Sequence, residues 1–98
     1  MKPLTNPQKR RLKALAQKLD ATLHVGKAGV SDAFLGGLNV ELDRHELVKV
    51  KFAEHKERKH ELAPQLAEKT ASHLVWLIGN VAVLYRQQSD PAKQKISF

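Results

Sequence analysis

A single α/β domain of order αβαβαββ, with a mixed four-stranded sheet packed against three helices, is predicted by three features of the chain. Apolar residues recur at helical spacing over Leu12–Leu19, Phe34–Leu42 and Leu62–Ala67. Short alternating or β-branched runs, Leu23–Val25, Leu47–Phe52, His73–Ile78 and Val81–Tyr85, lie between and after them. Gly79-Asn80 joins the last two runs with a pair suited to a two-residue type II′ turn, which makes those strands antiparallel, whereas the earlier β-α-β order implies parallel neighbours. A chain of 98 residues buries roughly 60–70% of its unfolded surface, enough for one core but not two.

Each element has a local cause. Asn6-Pro7 supplies an N-cap and first position for the first helix, with Thr5 as the other possible cap; Leu12, Leu15, Ala16 and Leu19 form its apolar stripe. The second helix is expected over about Asp32 to Asp43, with Gly36-Gly37 inside it at a cost of ~1 kcal/mol each relative to alanine. Either a neighbour packs closely on those glycines or the helix is weak. In the second strand Val48, Val50 and Phe52 face one way and Lys49 and Lys51 the other. The mixed charges of residues 53–61 suit a loop or the exposed first turns of a third helix, and Pro64 implies either that this helix begins near His60 or that a longer one kinks. Residues 1–86 form the domain by this reading, and residues 87–98 a polar, flexible tail.

Charge is the informative part of the composition. Seventeen Lys and Arg against ten Asp and Glu give +7 at pH 7, the electrostatic footprint of a polyanion binder. The excess is concentrated at the start, where Lys2, Lys9, Arg10, Arg11, Lys13 and Lys18 face Asp20 alone. A charged helix face opposite a core stripe is usually only solvated, but here every charge on it before Asp20 is positive. The chain has no cysteine, hence no disulfide framework and no thiolate site, which fits a reducing cytoplasm. No apolar run approaches the ~18 residues of a membrane span, and Met1–Thr5 lacks the apolar core of a signal peptide.

Enzymatic chemistry finds little support. The five histidines form no i, i+4 pair and no His-Glu-x-x-His pattern, so neither a metal nor another cofactor is expected. Ser31 is explained as a helix cap, and Ser72 and Ser89 lack a nucleophile elbow. No small-molecule substrate is indicated. Trp76 and Tyr85 could stack on bases, but in hairpin strands they more often pack in the core.

One stretch remains. Leu23-His24-Val25-Gly26-Lys27-Ala28-Gly29-Val30-Ser31 reads as a strand, a turn flanked by two glycines, and the capped start of a helix, with Val30 placed to staple onto Leu35. The glycines accept φ > 0 and allow close approach to the backbone; the helix start offers unpaired N–H groups and Lys27 adds a charge. Its two-residue spacing does not fit a Walker loop. It fits the Gly-x-x-Gly loop with which KH domains clamp single-stranded nucleic acid through the sugar–phosphate backbone.

The order of a basic first helix, Val25-Gly26-Lys27-Ala28-Gly29-Val30-Ser31, then His45-Glu46-Leu47-Val48-Lys49-Val50-Lys51, then Ile78-Gly79 and Leu84-Tyr85-Arg86 resembles the YhbY family of stand-alone CRM (chloroplast RNA splicing and ribosome maturation) domains. The resemblance covers about residues 4–86 and implies KH-like RNA binding and association with precursors of the large ribosomal subunit. By position, the RNA-contacting residues it implies are Gly26, Lys27, Ala28 and Gly29, backed by the basic first helix, with Arg86 in the terminal block. Ser31 stands where the family often has Thr. The expectation is therefore a cytoplasmic, monomeric, non-enzymatic RNA-binding protein, whose site comprises Gly26, Lys27, Ala28, Gly29 and Ser31 with Lys9, Arg10, Arg11, Lys13, Lys18 and Arg86. An adaptor docking on an acidic protein partner and a DNA-binding regulator are the alternatives, distinguished by whether the purified protein alone retards RNA and prefers it to DNA.

Overall fold

A computed structural model describes residues 2–98. Its main elements are α1 (Asn6–Ala16), β1 (Leu23–Val25), α2 (Asp32–His45), β2 (Leu47–Phe52), α3 (Lys59–Lys69), β3 (His73–Ile78) and β4 (Val81–Tyr85), in the αβαβαββ order expected. The sheet order is β1-β2-β4-β3; β1 and β2 are parallel, and β4 is antiparallel to both its neighbours. The crossover through α3 leaves a gap one strand wide between β2 and β3, and the hairpin return fills it with β4. Gly79 has φ +55 and Asn80 no positive φ, as a type II′ turn requires.

The period-2 alternation of the strands divides the molecule into layers. On one face Val25, Val48, Val50, Phe52, Ala82 and Leu84 pack against Leu38 and Leu42 of α2 and Leu62, Ala63 and Leu66 of α3. On the other face Leu47, Val75, Val83 and Tyr85 receive Leu12 and Ala16 of α1. Phe52 and Leu12 are both fully buried, each worth about 1.5–3 kcal/mol of transfer free energy. The β3–β4 register shifts between Leu74 and Trp76; this bulge turns both Val75 and Trp76 toward the α1 face, while Leu74 and Leu77 join the larger core.

Helix ends follow local chemistry, with some departures from expectation. Thr5, not Asn6, caps α1: its Oγ1 accepts from Gln8 N–H at 3.3 Å and Gln8 Oε1 accepts from Thr5 N–H at 2.9 Å, a capping box written in the sequence as Thr-x-x-Gln. At the other end of α1 the ammonium of Lys49 donates to the carbonyls of Ala16 at 3.1 Å and Leu19 at 2.9 Å, holding a cation at the negative pole of the helix. Helix α2 runs two residues beyond the expected Asp43. A short 3₁₀ turn, Lys56–Arg58, leads directly into α3, which starts at Lys59 and carries Pro64 in its second turn. Nothing lies within 4 Å of a Cβ built on Gly36 or Gly37, so close packing is not what places glycine there.

Residues 87–98, expected to form a polar, flexible tail, make a defined set of contacts. Glu46, fully buried, accepts N–H bonds on its carboxylate from Gln88 at 2.7 Å, Lys95 at 2.6 Å and Ile96 at 2.9 Å. Ile96 packs against the α1-side core and Phe98 meets Tyr85 edge-on at 5.8 Å. Polar composition concealed this because the bonds are made by the tail's backbone, on a carboxylate 42 or more residues away.

Candidate nucleic-acid interface

The Gly-x-x-Gly stretch is a tight turn at the end of the edge strand β1. Gly29 N–H donates to Gly26 O at 3.0 Å, closing the turn, and Gly29 adopts φ +69. That left-handed conformation explains glycine at this position; at Gly26, where φ is not positive, a Cβ would meet open space. Gly26, Lys27 and Ala28 are exposed and Gly29 is half-buried. The Lys27 ammonium makes no hydrogen bond or ion pair among the described residues.

The turn is braced from behind. Glu54 N–H donates to Val25 O at 2.9 Å, and the His55 Nε2 lies 2.9 Å from Lys27 O. A Cβ on Gly29 would stand 3.5 Å from that same nitrogen. His55 itself holds φ +57. Sequence inspection missed it, since no pattern links it to a turn 28 residues earlier.

Ser31 acts as expected, accepting Phe34 N–H on Oγ at 3.1 Å to cap α2. Val30 and Leu35 both pack on the larger core. The first turn of α2 also carries Asp32, exposed to solvent. Its carboxylate complements the helix dipole and repels an anion placed at the same spot. An approaching phosphate is therefore better served by the turn and Lys27 than by the α2 terminus.

The other expected site residues divide into two groups. Lys9, Arg10 and Arg11 are exposed on α1 and Lys18 follows its end; Arg11 Nε donates to the Ser97 carbonyl at 3.1 Å. Lys13 lies over the Trp76 ring, 5.4 Å from its centroid. Helix α1 packs on the face of the sheet opposite α2 and α3, so its cations and the turn do not form one continuous cluster. They are separated by the part of the sheet that α1 leaves uncovered.

Arg86 leaves the candidate set. Its Nη1 donates to Asn39 Oδ1 at 2.7 Å and Thr70 O at 2.8 Å, and its Nη2 to Asn39 O at 3.0 Å and Asp43 Oδ1 at 2.8 Å. The guanidinium is a clamp joining α2 to the end of α3, with little left to offer a ligand. Other cations are similarly occupied: Lys59 holds Gly79 O at 2.7 Å, and Arg58 pairs with Glu61 at 3.0 Å. Among the described residues no cluster of three metal-ligating side chains occurs, and no helix is long and apolar enough to cross a membrane.

Residues 4–86 match the CRS1 / YhbY (CRM) domain. The chain belongs to the CRM domain family. Among its relatives are "Probable RNA-binding protein YqeI" of Bacillus subtilis, 36% identical over 88 residues and aligned over 89% of this chain and 92% of the relative. A second "Probable RNA-binding protein", from Pseudomonas aeruginosa, is 34% identical over 92% of this chain and 88% of its own. The solution structure of the hypothetical protein SAV1595 from Staphylococcus aureus is similar with a TM-score of 0.78 at 33% identity, over 97% of this chain and 100% of that one. The Gly26–Gly29 turn lies within the matched residues.

Proposed function

We propose that this CRM domain is a non-enzymatic RNA-binding protein that grips the sugar–phosphate backbone at the Gly26–Gly29 turn. The observation that carries this reading is the exposure of Gly26, Lys27 and Ala28 on a braced turn, where backbone donors and an unengaged ammonium face solvent together. Family membership and the names of the relatives support RNA as the polyanion. Electrostatics supplies most of the affinity in such a mode, and the chain's +7 charge suits it. Lys9, Arg10, Lys13 and Lys18 form a second cationic surface, on and just after α1, apart from the turn. The finer reading is a monomer acting in the cytoplasm on ribosomal RNA, during assembly of the large ribosomal subunit.

The test is retardation of a structured RNA by the purified protein, wild type against Lys27→Glu and Gly29→Asp. Both variants are expected to lose about tenfold or more in affinity at moderate salt; Lys27→Glu should melt close to wild type, whereas Gly29→Asp, which places a side chain at φ +69, should melt lower. Wild-type binding by Lys27→Glu would remove the turn from the interface. Equal competition by DNA would transfer the protein to a different class of partner. Crosslinking in cells followed by sequencing of the bound RNA addresses the ribosomal assignment, which fails if large-subunit RNA is not enriched.

A further inference from the structure

The surface between the turn and α1 has a composition of its own. The registers His24↔Lys51, Lys51↔Val81 and Ile78↔Val81 line up four residues in one row across all four strands. Their strand neighbours Val25, Val50, Ala82 and Leu77 point into the α2/α3 core, so all four of the row face the α1 side. Helix α1 stops short of them: its last residue, Ala16, borders the preceding level, where Lys49, Val83 and Trp76 line a shallow hollow of about 250 Å³ with Ile78. His24 and Lys51 are exposed, and Ile78 retains 47% of its surface. The β1 member of the row, His24, lies two residues before Gly26.

We propose that this uncovered end of the sheet is a base-docking surface for single-stranded RNA, continuing the path of a strand held at the Gly26–Gly29 turn. The inference rests on the RNA-binding reading and specifies its substrate. Exposed apolar side chains between cations suit an unstacked strand, which offers base faces and phosphates together; a duplex stacks its bases inside and presents mainly phosphates and riboses. The Lys51 ammonium makes no hydrogen bond or ion pair among the described residues, and the residue stands beside His24, directly below the turn. Ile78 and Val81 offer aliphatic contact to bases at the far end of the row. Trp76 forms the wall of the hollow, with the Lys13 ammonium on its ring, so an arriving strand meets an aromatic edge and a phosphate-pairing cation together. The row also connects the two cationic features that the fold otherwise keeps apart.

The experiment compares a short oligouridylate with an RNA duplex of equal length, binding to wild type, Ile78→Thr, Lys51→Gln and Lys27→Glu. Threonine keeps the β-branch that a strand favours, so Ile78→Thr is expected to fold normally, as checked by melting. It should weaken oligouridylate binding about 3- to 10-fold at unchanged salt slope and leave the duplex unaffected. Lys51→Gln should weaken the oligouridylate and lower the slope of log K against log salt by about 0.7, the value for one phosphate contact on a single strand. Trp76 is the single tryptophan, so its emission gives a readout independent of substitution: oligouridylate should change it and duplex should not. Wild-type affinity in both sheet variants with unchanged Trp76 emission, while Lys27→Glu is impaired, overturns the docking surface and leaves the turn in place. Failure of wild type to bind either RNA overturns both readings.

Discussion

The His55 imidazole lies 2.9 Å from the Lys27 carbonyl oxygen, tying the exposed turn after β1 to the segment that follows β2. The contact fixes the Lys27–Ala28 peptide at the turn, and the imidazole stands directly behind Gly29. Preorganisation of this kind lowers the ordering cost of binding without adding any contact to the ligand.

His55→Ala therefore separates positioning from contact. One solvent-facing hydrogen bond is worth about 0.5–1.5 kcal/mol, so the melting temperature should fall only slightly. RNA affinity should fall several-fold, and amide exchange at Lys27–Gly29 should quicken in nuclear magnetic resonance spectra. Unchanged exchange at the turn would show that His55 does not hold it.

Arg86 gives the opposite expectation: a large effect on stability and none on binding by the folded protein. Its planar fork meets three acceptors on α2 and one on Thr70, the residue that caps α3, a geometry lysine cannot reproduce. Arg86→Lys should lower the free energy of unfolding by about 1–3 kcal/mol. The ion pair to Asp43 contributes little of this, because Asp43 is 69% exposed. Denaturant melts measure the loss, and RNA binding well below the melting temperature should match wild type; a binding defect at full folding would return Arg86 to the interface.

The contrast between these two residues shows what could be read from sequence. Strand alternation in Leu47–Phe52 correctly assigned Lys49 and Lys51 to one face, because the pleat enforces it locally. The turn was legible from Gly26 and Gly29, of which Gly29 takes the left-handed region that glycine enters freely. The role of Arg86 was not, because it depends on Asn39 and Asp43 lying 47 and 43 residues away in sequence. The two lysines of β2 look equivalent in sequence, yet Lys49 is engaged by the carbonyls at the end of α1 while Lys51 lies beyond that helix. Tertiary placement alone distinguishes them.

Glu46 tests whether the last residues belong to the folded body. Its carboxylate receives three backbone N–H groups of the tail from within the protein, while its own backbone sits at φ +63, a costly region for a residue with a Cβ. Glu46→Gln exchanges one acceptor oxygen for a donor and sets it against N–H groups that are themselves donors. Hydrogen exchange at Lys95 and Ile96 should accelerate by at least tenfold, and stability should fall by about 1–3 kcal/mol. Unaltered exchange at those amides would mean that the tail is held by Ile96 and Phe98 packing instead.

Two backbone positions carry residues that the local conformation disfavours, in opposite senses. Gly36 is exposed inside α2 with nothing within 4 Å of a built Cβ. Ala71 takes the left-handed position after α3, at φ +51. There Ser72 N–H bonds Ala67 O at 2.9 Å and Ala71 N–H bonds Glu68 O at 3.2 Å, a Schellman motif in which glycine is the usual residue. Gly36→Ala and Ala71→Gly should each raise stability by about 0.5–1 kcal/mol, and the double variant by the sum. A loss of RNA affinity in Gly36→Ala without loss of fold would show instead that bare backbone on α2 is approached by the ligand.

His73 supplies a pH dependence. Its ring stacks on Tyr85, with centroids 6.3 Å apart, and burial in this position, reinforced by the positive charge of Lys9, holds its pKa below the ordinary histidine value. Above about pH 6.5 the ring is neutral in both folded and unfolded chains and its contribution to stability is complete. As pH falls below that value the unfolded chain takes up the proton first, so stability declines until the depressed folded pKa is passed and the decline levels off. Comparing denaturant midpoints of wild type and His73→Gln from neutral to mildly acidic pH isolates this step, since the remaining titrating groups are common to both proteins. The wild-type midpoint should fall more steeply with acidification than that of the variant; parallel curves would mean that the imidazole is protonated as readily in the folded protein as in the unfolded chain.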